Sequence, residues 1–314
     1  MSAKMRAGDW LLIILLALLW GISFFLTEIC LRDLGPTTLA CGRVGFAALA
    51  LLGIAAIRGQ RFPTALADWG ALAVMGLINN ALPFSLIMWG QTRIDSGLAS
   101  ILNATTPLFT FVLAHMLTRD ERMTRQGTLG VTVGFLGAVV LIGPSALTGL
   151  GADSWAQIAV LAAALFYALS GIFGRRLRHL DPVVAAAGMT GAATVILLPA
   201  ALMVDQPWAF RPTADTWLAL LVLSTVSTGG AYIIYFKVLA SAGATNLLLV
   251  TFLIPIAALI LGSTALGEEI TLTALAGMAL IFLGLAVIDG RLPAVLTRLK
   301  HRTRGRRTRS TNLP

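Results

Sequence analysis

The sequence predicts an all-α polytopic membrane protein: ten transmembrane helices in two inverted five-helix repeats. Three observations carry this. Of 314 residues, 57% are hydrophobic and 12% charged, with a mean hydropathy of +0.87, whereas a soluble domain carries about 25% charged residues. Apolar segments long enough to cross a bilayer fall at 10–31, 36–57, 69–89, 95–117, 126–143, 154–174, 182–203, 215–236, 243–265 and 271–288. Finally, LASILNATTPLFTFVLAHMLTRDE at Leu98 to Glu121 is echoed by NLLLVTFLIPIAALILGSTALGEE at Asn246 to Glu269. Pro107 to Pro255 and Glu121 to Glu269 are both separated by 148 positions.

The first segment follows MSAKMRAGDW and superficially resembles a signal peptide, but its apolar run is too long and no small-x-small cleavage site follows, so it reads as a retained helix. Cys30 and Cys41 flank the turn into the second segment. They cannot form a metal site by themselves, and small apolar packing is their expected role, with a disulfide left open.

Orientation follows from Lys and Arg. Placing both termini in the cytoplasm puts nineteen of the 23 Lys and Arg inside or at that interface, leaves Arg32, Arg93 and Arg211 outside, and buries Arg43 within a span. Eight of the nineteen lie in the tail from Arg291 to Arg309, which is basic enough to lie on anionic lipid. The net charge of +9 sits at segment ends, so it marks topology and not a nucleic-acid surface.

Five spans per copy is odd, so the second copy enters from the opposite side. The charges follow: TRDERMTR after the fourth segment is basic and its counterpart GEEITLT is not. The turn at Arg32 is poor in positive charge, whereas its counterpart carries Arg175, Arg176 and Arg178. Inverted repeats let one central site face either side in turn. The repeats are expected over 1–146 and 147–290, with a basic cytoplasmic tail over 291–314.

Pro107 and Pro255 each remove a backbone donor and free the carbonyl four residues earlier, on Asn103 and Thr251. Proline-interrupted helices at matching places in two halves point to a transporter's binding site, so both prolines are candidate hinges. A harmless packing kink is the plainer alternative.

The sequence resembles the EamA family of the drug/metabolite transporter superfamily. The residues that carry this are Trp20-Gly21-Ile22-Ser23-Phe24, Pro36 followed by Arg43, the Pro107 helix ending in Asp120-Glu121, Gly130-x-x-x-Gly134-x-x-Gly137, and Leu266-Gly267-Glu268-Glu269. The resemblance implies a 5+5 inverted-repeat carrier, commonly a bacterial inner-membrane exporter of amino acids or related metabolites. It also implies a central cavity lined by helices 1, 3, 4, 6, 8 and 9. Many relatives have a lysine where this chain has Glu28, so no role tied to that lysine is carried over.

On the helices that would line this cavity, a zwitterionic solute would meet hydrogen-bonding and aromatic groups from Trp20, Ser23, Asn79, Trp89, Asn103, Thr106, Tyr167, Ser170, Tyr232 and Asn246. The competing reading is that the Ser, Thr and Asn residues simply bond between helices. Glu28 and Arg43 are the intramembrane charges, and their similar depth below the outer end predicts that they interact, directly or through water. Without a midplane carboxylate, facilitated movement down a gradient is favoured over proton antiport. HExxH, GxSxG and paired intramembrane acids are missing from the sequence, which argues against an enzyme, and no metal or cofactor is expected. The expected partners are a small-molecule solute and membrane lipid, with oligomeric state open.

Overall fold

The computed structural model describes residues 6–118, 124–143, 151–247 and 249–288. The Asp120-Glu121 pair and the basic tail lie outside the described residues. Nine helices among the described residues are long and apolar enough to cross a membrane: α1 Ala7–Leu31, α2 Pro36–Ile57, α3 Leu66–Gln91, α4 Ser96–Leu117, α5 Arg125–Ile142, α6 Ala152–Leu177, α7 Pro182–Asp205, α8 Ala214–Gly243 and α9 Leu249–Leu266. The tenth, α10, Leu272–Ile288, is apolar and only slightly shorter. The end carrying the turns before α2, α4, α8 and α10, assigned by charge to the outside, is called the outer end below.

Local chemistry sets the helix starts. Pro36 and Pro182 open α2 and α7, where a missing N–H costs nothing. Thr124 accepts from the Gly127 N–H at 3.1 Å to start α5, and Asp181 accepts from the Val183 N–H at 2.8 Å to start α7. Between α8 and α9, Gly243 takes φ 80° and ψ 166°, a geometry open to a residue without Cβ, and breaks the helical run Ala231–Leu247.

Packing shows the duplication directly. Exchanging each helix with the one five places away turns the α1–α9 pair into α6–α4, α3–α6 into α8–α1, and α3–α7 into α8–α2, and all six pairs are packed. The α2–α7 and α5–α10 pairs map onto themselves. In α5–α10 the backbones touch. A Cβ on Gly130 would lie 2.6 Å from the Gly284 carbonyl oxygen, and one on Gly137 would lie 2.6 Å from that of Gly277. Gly130 matches Gly277 and Gly137 matches Gly284, each 147 positions on. Contact i with j′ and j with i′ is the mark of a two-fold relation. The glycine run of α5 is thus spent inside the molecule, on close helix approach.

A second correspondence lies in α3 and α8. Each is interrupted by a wide π-helical turn, at Gly76–Ala81 and at Thr225–Gly230, 149 positions apart at both ends. Such turns are rare and recur at functional positions. In α3 the cause is legible: Pro83 offers no N–H to the Asn79 carbonyl.

The two proline helices differ. α4 is helical over Ser96–Asn103 and Thr106–Leu117, with a joint at Ala104 and Thr105. The Asn103 carbonyl that Pro107 leaves unbonded accepts from the Thr106 hydroxyl at 2.8 Å. Around Pro255 the helix Leu249–Leu261 is unbroken. Cys30 and Cys41 are buried free thiols.

Candidate functional site

The wide turn of α3 brings two adjacent side chains to one hydroxyl. Asn79 Nδ2 donates to Tyr232 Oη at 2.9 Å, and Tyr232 Oη donates to Asn80 Oδ1 at 2.7 Å. From α6, Ser170 Oγ lies 2.7 Å from Asn79 Oδ1 and 2.8 Å from the Tyr167 carbonyl, so its single proton is shared. Helices α3, α6 and α8, drawn from both repeats, therefore meet in one polar cluster. Asn79, Tyr167 and Tyr232 are half-buried rather than sealed, and the fully buried Asn80 keeps an unpartnered Nδ2.

Arg43 of α2 adjoins this cluster. Its Nε donates to Thr228 Oγ1 at 2.9 Å, and its guanidinium carbon stands 3.9 Å from the Phe84 ring centre. Thr228 lies in the wide turn of α8 and passes its own proton to the Leu223 carbonyl at 2.8 Å. Phe84 meets Tyr167 edge-on at 6.4 Å, so guanidinium, Phe84 and Tyr167 form a continuous wall. Tyr167 and Tyr232 both lie within electrostatic reach of the guanidinium.

Glu28 and Arg43 make no direct contact. Arg43 is turned toward α8 and α3, whereas the electrostatic neighbours of Glu28 are Glu268, Asp95 and Arg32 at the outer end, and its Oε2 is buried without a partner. Equal depth on two helices fixes height but not azimuth.

The other candidates divide. Trp20 stacks at a tilt on Tyr235 at 5.8 Å, on the α1–α8 side. Ser23 Oγ bonds the Trp20 carbonyl at 2.6 Å, Asn246 Nδ2 the Ala242 carbonyl at 2.9 Å and Thr106 Oγ1 the Asn103 carbonyl; each is satisfied close by in sequence. Asn103 sits at the α4 joint with a buried, unpartnered Oδ1. Trp89 is 42% exposed and has no place in the cluster. Asn80, Phe84 and Thr228 also belong to it: the wide turn brings Asn80 beside Asn79, where successive residues of an ordinary α-helix diverge.

The outer end is closed by carboxylates laid on helix N-termini of the opposite repeat. Glu268 accepts from the Ser96 and Gly97 N–H groups of α4 at 2.9 and 3.0 Å. Asp205 accepts from the Thr38 N–H of α2 at 2.6 Å. Asp33 accepts from the Thr213 N–H at 2.9 Å and from the Thr213 and Thr216 hydroxyls at 2.8 and 2.6 Å, at the start of α8. The Thr213 N–H and the two hydroxyls hold the Asp33 carboxyl below its ordinary range. The LGEE stretch thereby gains a physical role. The wide turn Gly262–Leu266 ends α9, Gly267 turns left-handed at φ 74°, and Glu268 is thrown across the start of α4. Beside it lies a cavity of about 100 Å³, lined among others by Gly97, Leu98, Leu259, Ser263 and Glu268; none of the cluster residues line it.

Comparison with known proteins decides the family. The chain matches the EamA-like transporter family over residues 9–143 and again over 154–289. It belongs to that family. As an EamA-like chain it is 28% identical to a protein of Salmonella typhimurium named as a probable amino-acid metabolite efflux pump, over 90% of this chain and 95% of that protein. It is 26% identical to the uncharacterized inner membrane transporter YedA of Escherichia coli, over 87% of each chain. A crystal structure of another protein superposes with a TM-score of 0.65 at 18% identity, over 90% of this chain and 98% of that one, a likeness of fold. Each repeat takes one copy of the family pattern, as the packing symmetry requires.

Proposed function

We propose that this EamA-like protein is a bacterial inner-membrane exporter of amino acids or related small metabolites, working by alternating access through its centre and driven by the solute's own gradient. Both termini then face the cytoplasm, the repeats run over 1–146 and 147–290, and the basic tail at 291–314 rests on the inner leaflet. One observation carries the reading most: amide, hydroxyl and aromatic groups from both repeats converge at the matched wide turns of α3 and α8. Buried polar groups between helices are costly unless used, and a site built at the seam of two repeats is exposed to either side when the repeats rock. The efflux-pump name of the Salmonella relative supports the solute class, and the name of YedA supports the membrane.

The test is counterflow in proteoliposomes with a panel of amino acids. Saturable uptake with trans-stimulation is expected, and ohmic current without saturation would make the protein a channel. Asn79→Ala should lower transport about tenfold at unchanged abundance, whereas Ser23→Ala and Asn246→Ala, which remove hydrogen bonds made to nearby carbonyls, should stay within about twofold. A second reading, proton antiport, is favoured by one feature: the unpartnered Glu28 Oε2 near Glu268 and Asp95. Strict dependence on a proton gradient would select it, and indifference to its collapse supports facilitated movement.

A further inference from the structure

Resting on the carrier reading above, we propose that Arg43 is the receptor for the solute's carboxylate, so that this protein moves molecules bearing a single carboxylate and discriminates against their amides and decarboxylated amines.

A guanidinium has five N–H donors. Arg43 spends one, from Nε to Thr228 Oγ1. Its terminal nitrogens make no hydrogen bond to any described residue, and no carboxylate among the described residues pairs with it. Yet the residue is only 6% exposed, seven positions into α2, about 10 Å below the outer end. A charge at that depth is kept only where something compensates it. One hydroxyl and one aromatic face compensate part of it, and they also fix the plane of the group. With the Nε edge tied to α8 and one face covered by Phe84, the unspent donors are the fork formed by the two terminal nitrogens. That fork matches the two oxygens of a carboxylate.

The surroundings select the ligand's charge. The groups within electrostatic reach of Arg43 are Tyr167, Tyr232 and the Cys30 thiol, with no second cation among them. One positive charge is neutralised by one carboxylate, while a phosphate dianion would leave a net negative charge in the bilayer core. Beside the guanidinium, the Tyr167 ring and the Tyr232 hydroxyl with its Asn79 and Asn80 partners offer an aromatic wall and hydrogen-bonding groups to the rest of the solute. This residue thereby becomes a specificity determinant and not the outer-end clasp that its depth suggested.

The experiment uses the purified full-length protein, with thermal denaturation and counterflow read in parallel. The ligands are amino acids, their amides, the corresponding amines, and short aliphatic and aromatic monocarboxylates. The wild type should be stabilised by the acids at concentrations about tenfold or more below those of the amides. Arg43→Gln should abolish that preference, while Asn79→Ala should weaken binding of acids and amides together and keep it. If Arg43→Gln does not fold, Thr228→Val, which leaves the charge but releases Nε, should shrink the preference. Equal stabilisation by acid and amide in the wild type, or a preference that survives in the Arg43 variant, overturns the proposal. If no amino acid binds or moves, the amino-acid reading fails separately. The monocarboxylates then decide the receptor: stabilisation in the wild type that is absent from the variant upholds it, and none in either overturns it.

Discussion

The two ends of the bundle are held by different chemistry. At the outer end, Glu268, Asp205 and Asp33 each lay a carboxylate on backbone N–H groups at the start of a helix from the other repeat. At the opposite end the links between repeats among the described residues include three side-chain contacts: Ser241 Oγ to Asp9 Oδ1 at 2.8 Å, His179 Nε2 with Asp68 Oδ1 at 3.0 Å, and Gln126 Nε2 to the Val287 carbonyl at 2.8 Å. A carboxylate on a helix N-terminus satisfies orphan donors and meets the positive end of the helix dipole, so it is a stronger tie than a single hydroxyl or imidazole contact. The difference makes the outer end the better locked. Under the alternating access proposed above, opening this end strips three helix starts of their acceptors.

The largest expected effect comes from removing one such lock. Glu268→Ala leaves the Ser96 and Gly97 N–H groups without their acceptor and should destabilise the protein by about 1 to 2 kcal/mol. It should also raise the labelling rate of a cysteine placed at Leu98 by an impermeant maleimide added from outside. Ser241→Ala at the other end should cost about half as much or less, because Asp9 keeps its bond to the Arg6 N–H at 2.9 Å. Equal losses from the two variants would erase the contrast between the ends.

The next test concerns what the outer lock holds. Glu268 pins Ser96–Asn103, and the joint at Ala104 and Thr105 separates that stretch from the rest of α4. In α9 the equivalent proline sits in a continuous helix. If the joint is where the pinned stretch swings, Pro107→Ala, which restores a backbone donor and favours a straight helix, should slow counterflow about tenfold. Pro255→Ala should change it by about twofold or less. Matching effects would mean that both prolines serve alike and that the broken α4 is incidental.

How much of this was readable beforehand depends on what each feature obeys. Span number, duplication and the paired glycines of α5 and α10 follow from composition and constant offsets, which the sequence displays openly. Pro107 and Pro255 were equally visible, but one breaks its helix and the other does not: Thr106 supplies a hydroxyl to the freed carbonyl and a joint forms. Pro83 marks the wide turn of α3, but nothing in the sequence pairs it with that of α8, since Gly76–Ala81 and Thr225–Gly230 share no residue pattern. Without these turns Asn79 and Asn80 diverge and do not meet at one hydroxyl. Arg43 is visible in the sequence as a charge within a span, but depth alone does not name its partner. Its direction toward Thr228 and Phe84 is set by how α2 packs on α8 and α3, a tertiary fact that no spacing encodes.

The smallest effect tests whether the outer lock carries a cost. Asp95 stands at the start of α4, makes no capping bond of its own, and its carboxyl is held above its ordinary range, first by burial and then by the negative charges of Glu268 and Glu269. An acid whose folded pKa is raised is penalised while ionised. The penalty is full above the folded pKa and fades as the pH falls through it toward the unfolded value. Asp95→Asn removes the charge and keeps a residue equally suited to a helix start, so the melting temperature at neutral pH should rise by about 1 to 2 °C. On acidification toward the ordinary carboxylate range the gap should close, since the wild-type side chain is then neutral too. In a Glu268→Gln background the gain should shrink already at neutral pH, because one of the two negative neighbours that raise it is gone. A gain unaffected by Glu268→Gln would separate Asp95 from the lock and leave burial and Glu269 as the sources of its penalty.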